Sequence, residues 1–470
     1  MLFNSATFVV FLLATLALYW GTPFLLLRRA VLLVASLLFY AWWDYRFVAL
    51  LLYVTLVAYA AAWAIHRWPR QGKRVVGLTL LLQLGQLAIF KYANFALAAA
   101  GDLAHLVGSG FQPPKLSILL PIGVSFYTFH GISYVVDVYR GKLPRPLGLS
   151  VVALYIVFFP QLVAGPIVRA DLFIPQTAKP ARLDTRDVIV AMKLITIGLI
   201  CKSVFADRLG PLVDEIFKTP AKFDNSTLIS ATFGFYSQIY FDFVGYSTMA
   251  IGVSRLFGFK LPRNFDFPYR STSITEFWRR WHISLSSWLR DYLYIPLGGN
   301  RAGVIKQYRN LFVTMLLGGL WHGASYNFVL WGGAHGLALG AHKLFRSRWP
   351  AMFRNGPARY VWAPLAWLLT QGFVLLAWVP FRAASLSDTG TIIHAFTLSR
   401  ASVGLKSQVI PLSLLALPIL VEHLLLQNPR LPAVPWPRRP FLILALLGVC
   451  LALVLPLMEL QVQNFIYFQF

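Results

Sequence analysis

Apolar stretches at or near membrane-spanning length recur along the whole chain, and no other feature narrows its possible folds as far. They include Phe3–Trp20, Phe47–Ile65, Val75–Phe90, Ala363–Val379 and Phe441–Leu457. Inside a bilayer every backbone N–H and C=O must be satisfied by the protein itself, so a spanning segment is a helix or a strand of a closed barrel. A barrel would show short segments of alternating polarity. These runs are continuous and of helical spanning length. The chain therefore reads as an all-α polytopic membrane protein with roughly 11 transmembrane helices. Short hairpins and re-entrant or interfacial helices blur that count. The composition agrees: 13% of the 470 residues are charged, about half the usual share in a soluble protein.

The formal net charge is +25. In a soluble domain that excess would suggest nucleic acid; here it fits basic loops against anionic lipid, with no nucleic-acid role. Arg28 and Arg29 follow the first apolar run, and the stretch from Arg67 to Arg74 is basic again. Both loops are cytoplasmic if two spans join them around Trp43-Asp44-Tyr45, which leaves the N-terminus outside, on the periplasmic face. Met1–Trp20 lacks a basic leader region and a clear cleavage site, so it reads as a retained helix. Cys201 and Cys450 cannot build a disulfide framework, and no cluster has metal-ligand spacing. No phosphate-binding loop or dinucleotide fingerprint occurs. No internal repeat is seen, which weighs against a transporter made of duplicated halves. Residues 1–470 are expected to form a single membrane domain: N-terminal helices over 1–110, a polar-enriched core over 111–345 and C-terminal helices over 346–470.

The polar residues concentrate in a few places. Trp321-His322-Gly323 lies in the apolar run Leu311–Phe345. An ionisable imidazole at membrane depth needs a partner, an aqueous path or a task. His322 is compatible with a buried core group, a proton relay or a catalyst. Histidine is the side chain best suited to proton transfer near neutral pH. His335 and His342 follow at a spacing that shares a helical face, and the intervening glycines make one helix through all three doubtful. In Thr272–Leu297 the residues Thr275, Arg279, His282, Ser286 and Arg290 recur at helical spacing, which predicts one polar stripe on an interfacial or re-entrant helix. Gln238 and Asp242 interrupt the apolar run Gln238–Gly252; Asp242 is expected to pair with an arginine or orient a histidine. The Pro- and Gly-containing segments Leu120–His130 and Phe159–Pro166 read as packing elements.

Taken in order, the segments FYAWWDYRF, FKYAN, LPIGVSFYTFHGISYVVDVYRG, QIYFDFVGYSTMAIG, SITEFWRRWHISLSSWLRDYLYIPLGGNR and LLGGLWHGASYNFVLWG resemble the membrane-bound O-acyltransferases. The likeness is to the bacterial branch concerned with alginate O-acetylation, with the D-alanine exporter of teichoic acid modification further off. It covers Leu2 to about Phe345 and is weak after about Ala351.

The resemblance implies a ring of helices around thinned central ones, with a funnel to the site. The family's signature histidine falls on His322 and its second histidine on His282. Ala334 stands where relatives often carry an aromatic residue, which leaves the role of His335 open. The implied reaction takes an acetyl group from a cytoplasmic donor, acetyl-CoA, across the Gram-negative inner membrane for O-acetylation of an exopolysaccharide such as alginate. The implied partners are a periplasmic SGNH-type acetyltransferase or carrier and the polysaccharide synthesis complex. His322 is the expected general base and His282 its relay or acyl-orienting partner. Arg279, Arg280 and Arg290 are expected to hold donor phosphates, with Asp242, Gln238, Trp321 and Ser286 also placed at the substrate or donor site. No metal and no bound cofactor are expected. The rival readings are a transporter or channel for the polymer and a non-catalytic scaffold.

Overall fold

The computed structural model describes residues 1–397 apart from 144–145, 164, 180–181, 183, 302 and 350–357, together with 413–414, 416–422, 448–449 and 465–466. Among these residues the chain forms helices and no strand. Four helical stretches are long and apolar enough to cross a membrane by length and composition: Leu25–Arg67, Pro69–Leu106, Thr185–Lys218 and Trp362–Arg382. Ala6–Gly21 is apolar but shorter. The expectation of about eleven spans counted shorter runs as well. One of them, Phe441–Leu457, lies almost wholly outside the described residues, as do Cys450 and the proline-rich Pro432–Pro440.

Two compact units are present, residues 1–192 with 250–262, and residues 193–249 with 263–470. The first holds α1 (Ala6–Gly21), α2 (Leu25–Asp44), α3 (Val48–Arg67), α4 (Gly72–Leu87), α5 (Ala93–Leu106), α6 (Val124–Tyr139), α7 (Leu149–Val157), α8 (Phe159–Leu162) and α9 (Ala170–Thr177). α2 and α3 are twenty residues each, about 30 Å of helix. Between them Asp44 leaves the helical conformation, its side chain accepting the Arg46 N–H, ahead of the short 3-10 turn Tyr45–Phe47. Phe8, Phe39 and Phe159 pack ring against ring in this unit. Phe159, at the head of the Phe159–Pro166 segment, enters that core, with its N–H caught by Ser36 Oγ at 3.1 Å.

α10 (Thr185–Leu199) leads into a π-helical turn, Ile200–Ala206, and then α11 (Asp207–Lys218). α12 (Asn225–Leu256) follows, and its residues up to Met249 belong to the second unit. That unit also contains α13 (Ile274–Arg280), α14 (Ile283–Leu289), α15 (Val304–His322), α16 (Tyr326–Arg348), α17 (Ala358–Arg382) and α18 (Leu386–Ala395). α13 and α14 have seven residues each, about 10 Å of helix, too short to span a bilayer. α15 and α16 meet through glycines. A Cβ on Gly332 would lie 2.5 Å from the Met315 carbonyl oxygen, and one on Gly319 would lie 2.9 Å from Gly332 Cα. Two helix backbones therefore touch directly, as small residues allow in membrane bundles.

Candidate active site

Thr272–Leu297 starts a helix for a local reason. Ser273 Oγ accepts the Glu276 N–H at 3.2 Å, and the Glu276 carboxylate accepts from the Thr272 N–H at 3.1 Å. The first contact caps the helix, and the second ties the residue before the cap to the same glutamate. Burial opposes ionisation of Glu276, but the Thr272 N–H and the Arg280 guanidinium outweigh it and hold the carboxyl below its ordinary range.

The single polar stripe expected over this segment is not what forms. The helix ends at Arg280, and His282 adopts a left-handed backbone with φ 42° and ψ 55° before α14 begins. Thr275, Arg279, Ser286 and Arg290 still converge, because all four line one cavity of about 740 Å³. His282 leaves the stripe and is fully buried. Lys343, Arg346 and His342 join the cavity from α16, and Leu289, Leu311, Met315 and Leu339 supply its apolar wall. His342 Nδ1 shares a 2.9 Å hydrogen bond with Thr275 Oγ1. No carboxylate is among the described lining residues.

Arg280 does not reach the cavity. Its Nη2 lies 2.7 Å from Glu276 Oε1 and its Nη1 donates to the Asp266 carbonyl at 2.9 Å. It is 8% exposed, and three of its five N–H donors are used on Glu276 and Asp266, which hold it to α13 and away from the cavity lining. Arg290 lines the cavity while pairing with Asp291 at 2.7 Å.

Asp242 and Gln238 also stand apart from the cavity lining. Asp242 pairs with Lys202 at 2.8 Å, not with an arginine or a histidine. Lys202 bridges to Asp207, also at 2.8 Å. The second Asp242 oxygen accepts the Ile466 N–H at 2.7 Å. This is a buried ion triad, and it is built from the π-turn, which the sequence pattern did not reveal.

His322 closes α15 and is 4% exposed. The glycine after it is needed because the Phe328 ring fills the place of a Gly323 Cβ. Phe328 packs on Phe381, and Phe381 on the His322 ring. Trp321 lies 4.8 Å from the His322 ring and 6.1 Å from the His282 ring, centroid to centroid. Trp331 is 5.0 Å from His322 on its other contact. The two histidines thus belong to one aromatic cluster, with Trp321 touching both. The break after His322 separates it from His335 and His342, which share the continuous helix α16.

Asn264 is a site residue that sequence reasoning missed. Its Oδ1 accepts from the Ser284 N–H at 3.2 Å and from Ser284 Oγ at 2.8 Å. A backbone N–H only donates, so the amide oxygen must face this way. His282 Nδ1 lies 3.2 Å from the same oxygen and can only donate to it. The neutral His282 ring therefore carries its proton on Nδ1 and presents Nε2 as a lone pair. That nitrogen is buried without a hydrogen-bond partner among the described residues. A base oriented by a third group is the arrangement expected of an acid–base pair. Trp278 connects the two halves of the site: it lines the cavity, and its ring packs on Trp331 at 5.7 Å.

The sequence that builds this site matches a known family. The family model for membrane-bound O-acyltransferases matches residues 142–376. A probable alginate O-acetylase of Pseudomonas aeruginosa is 42% identical over 396 residues, 82% of this chain and 73% of that protein. A peptidoglycan O-acetyltransferase of Helicobacter pylori is 37% identical over 387 residues, 76% of this chain and 71% of its own. A teichoic acid D-alanyltransferase of Bacillus subtilis is 28% identical over 328 residues, 64% and 82% respectively. The chain belongs to the membrane-bound O-acyltransferase family. It is a multi-pass membrane protein and an O-acyltransferase.

Proposed function

We propose that this protein transfers an acetyl group from a cytoplasmic thioester donor, acetyl-CoA, to a hydroxyl acceptor on the far side of a Gram-negative inner membrane. Its N-terminus would then lie in the periplasm. The observation that carries this reading is the junction at Trp278: a basic cavity with no carboxylate among its described lining residues on one side and the His322 cluster on the other. Arg279, Arg290, Lys343 and Arg346 suit the phosphates of the donor, arginine through paired charge-assisted hydrogen bonds. Ser286 and Thr275 add hydroxyls, and the apolar wall receives the arm that carries the acyl group.

At the centre, His322 takes the proton of the acceptor hydroxyl as its oxygen attacks the thioester carbonyl. The bond to sulfur then breaks, and the proton passes to the leaving thiolate. His282, with Nδ1 held by Asn264, offers an unprotonated Nε2 as a second proton station. Trp321 packs against both rings and keeps water from the reacting carbon. General acid–base catalysis of this kind contributes about 10²–10⁴ in rate. The names of the relatives support an exopolysaccharide such as alginate as the final acceptor. A periplasmic SGNH-type acetyltransferase or carrier is then the direct recipient, beside the polysaccharide synthesis complex.

Vesicles of known sidedness test this. Labelled acetyl-CoA supplied to the cytoplasmic face should label an acceptor protein or polymer on the opposite face. Label that appears only when donor and acceptor share a face would overturn the transmembrane transfer.

A further inference from the structure

An indole and an imidazole N–H group on α16 lack acceptors among the described residues. Trp331 and His335 are one turn apart on that helix, and each is 1% exposed. Trp278 Nε1 donates to His335 Nδ1 at 3.2 Å. An indole nitrogen only donates, so Nδ1 is the lone-pair nitrogen and the neutral His335 ring carries its proton on Nε2. This is the opposite tautomer to His282. His335 Nε2 and Trp331 Nε1 are both buried with no hydrogen-bond partner among the described residues. Buried polar groups are nearly always paired, and one left unpaired calls for an explanation. Trp331 packs on His335 at 4.6 Å and on His322 at 5.0 Å. Acyl transfer creates what these donors lack, an oxygen that gains negative charge during the reaction.

We propose that the Trp331 Nε1–H and the His335 Nε2–H hold the acyl carbonyl oxygen as it becomes an oxyanion. This rests on the reading of His322 as the reaction centre. The acceptor oxygen forms its bond to the carbonyl carbon, and the carbonyl π pair moves onto the oxygen held by the two N–H groups. The pair returns as the bond to the donor sulfur breaks, and the proton carried by His322 goes to that sulfur. Ester and thiol are the products. Trp278, which reaches the cavity, fixes the His335 tautomer and so keeps Nε2 a donor.

The test uses the full chain in vesicles, with acetyl-CoA as donor and kcat, KM and melting temperature all read. Trp331→Phe keeps an aromatic ring and removes the N–H; His335→Phe removes both ring nitrogens. Each should lower kcat by about 10²–10³, the loss expected for one oxyanion donor, with KM within about threefold. His335→Gln keeps an acceptor for Trp278 and an N–H donor, and should recover about tenfold over His335→Phe. Folded Trp331→Phe and His335→Phe proteins with kcat within about twofold of the parent would overturn the proposal, whatever their melting temperatures. If His335→Phe does not fold, Trp331→Phe alone decides. His322→Ala is measured alongside. An active His322→Ala protein would displace the centre itself, whereas an inactive one beside a full-rate Trp331→Phe would remove only the paired donors.

Discussion

His282 holds a backbone conformation that a residue with a Cβ adopts at a cost of about 1–3 kcal/mol. What holds it there is Asn264, whose carbonyl oxygen takes the Ile283 N–H at 2.9 Å while its side chain takes Ser284 and the His282 ring. Asn264→Leu keeps the backbone carbonyl for Ile283 but would leave the Ser284 and His282 donors unmet. We expect it to lower stability by about 1–3 kcal/mol, seen as a fall in melting temperature, and to lower kcat by at least about tenfold through the lost His282 tautomer. Asn264→Asp keeps an acceptor and should retain more activity than Asn264→Leu; equal activity of the two would remove the orienting role. None of this was legible in the sequence, because Asn264 precedes His282 by eighteen positions and shares no periodicity with it. His322 was legible because an imidazole between long apolar runs is conspicuous whatever surrounds it.

At the scale of elements, helical spacing brought four of the five stripe residues to one cavity yet missed the break at His282. Periodicity reports which residues share a face; it does not register a single left-handed residue held by a distant asparagine. The same limit explains Arg280. Its place beside Arg279 suggested a shared task, but Glu276 one turn earlier takes it inward. Because the folded Glu276 carboxyl titrates below its ordinary value, its contribution is fully present above the unfolded pKa of about 4.3 and is lost as pH falls through the lower folded value. Melting temperature of the parent should therefore fall more steeply with acidification than that of Glu276→Gln; parallel curves would contradict the assignment. The glycine contact of α15 with α16 gives a second prediction. Gly332→Ala places a methyl against the Met315 carbonyl and should destabilise by about 1–3 kcal/mol. A melting temperature equal to the parent's would show that the helices separate freely.

For the whole molecule, the apolar runs and the sparse charge made an all-helical membrane fold readable, since lipid permits so few alternatives. The Lys202–Asp207–Asp242 triad was not readable, since it depends on the π-turn that brings Lys202 to α12. Lys202→Met leaves two buried carboxylates without a counter-charge and should cost about 3–5 kcal/mol. Lys202→Met combined with Asp207→Asn and Asp242→Asn should recover much of that loss. A thermal-stability series over these variants would contradict the pairing if the triple variant were no better than the single. The cationic cavity makes a further prediction on the same scale. Arg279→Gln and Arg346→Gln should raise KM for the donor and leave kcat near the parent value, as expected when uniform binding is removed.

The chemistry itself is tested most directly by kcat and KM of His322→Asn in vesicles with a saturating acetyl thioester. The structure places His322 in the cluster beyond Trp278 and outside the cavity lining. A folded protein is therefore expected, with kcat lowered by about 10² or more while KM for the donor stays within about threefold. A folded His322→Asn protein that turns over at the parent rate would contradict it.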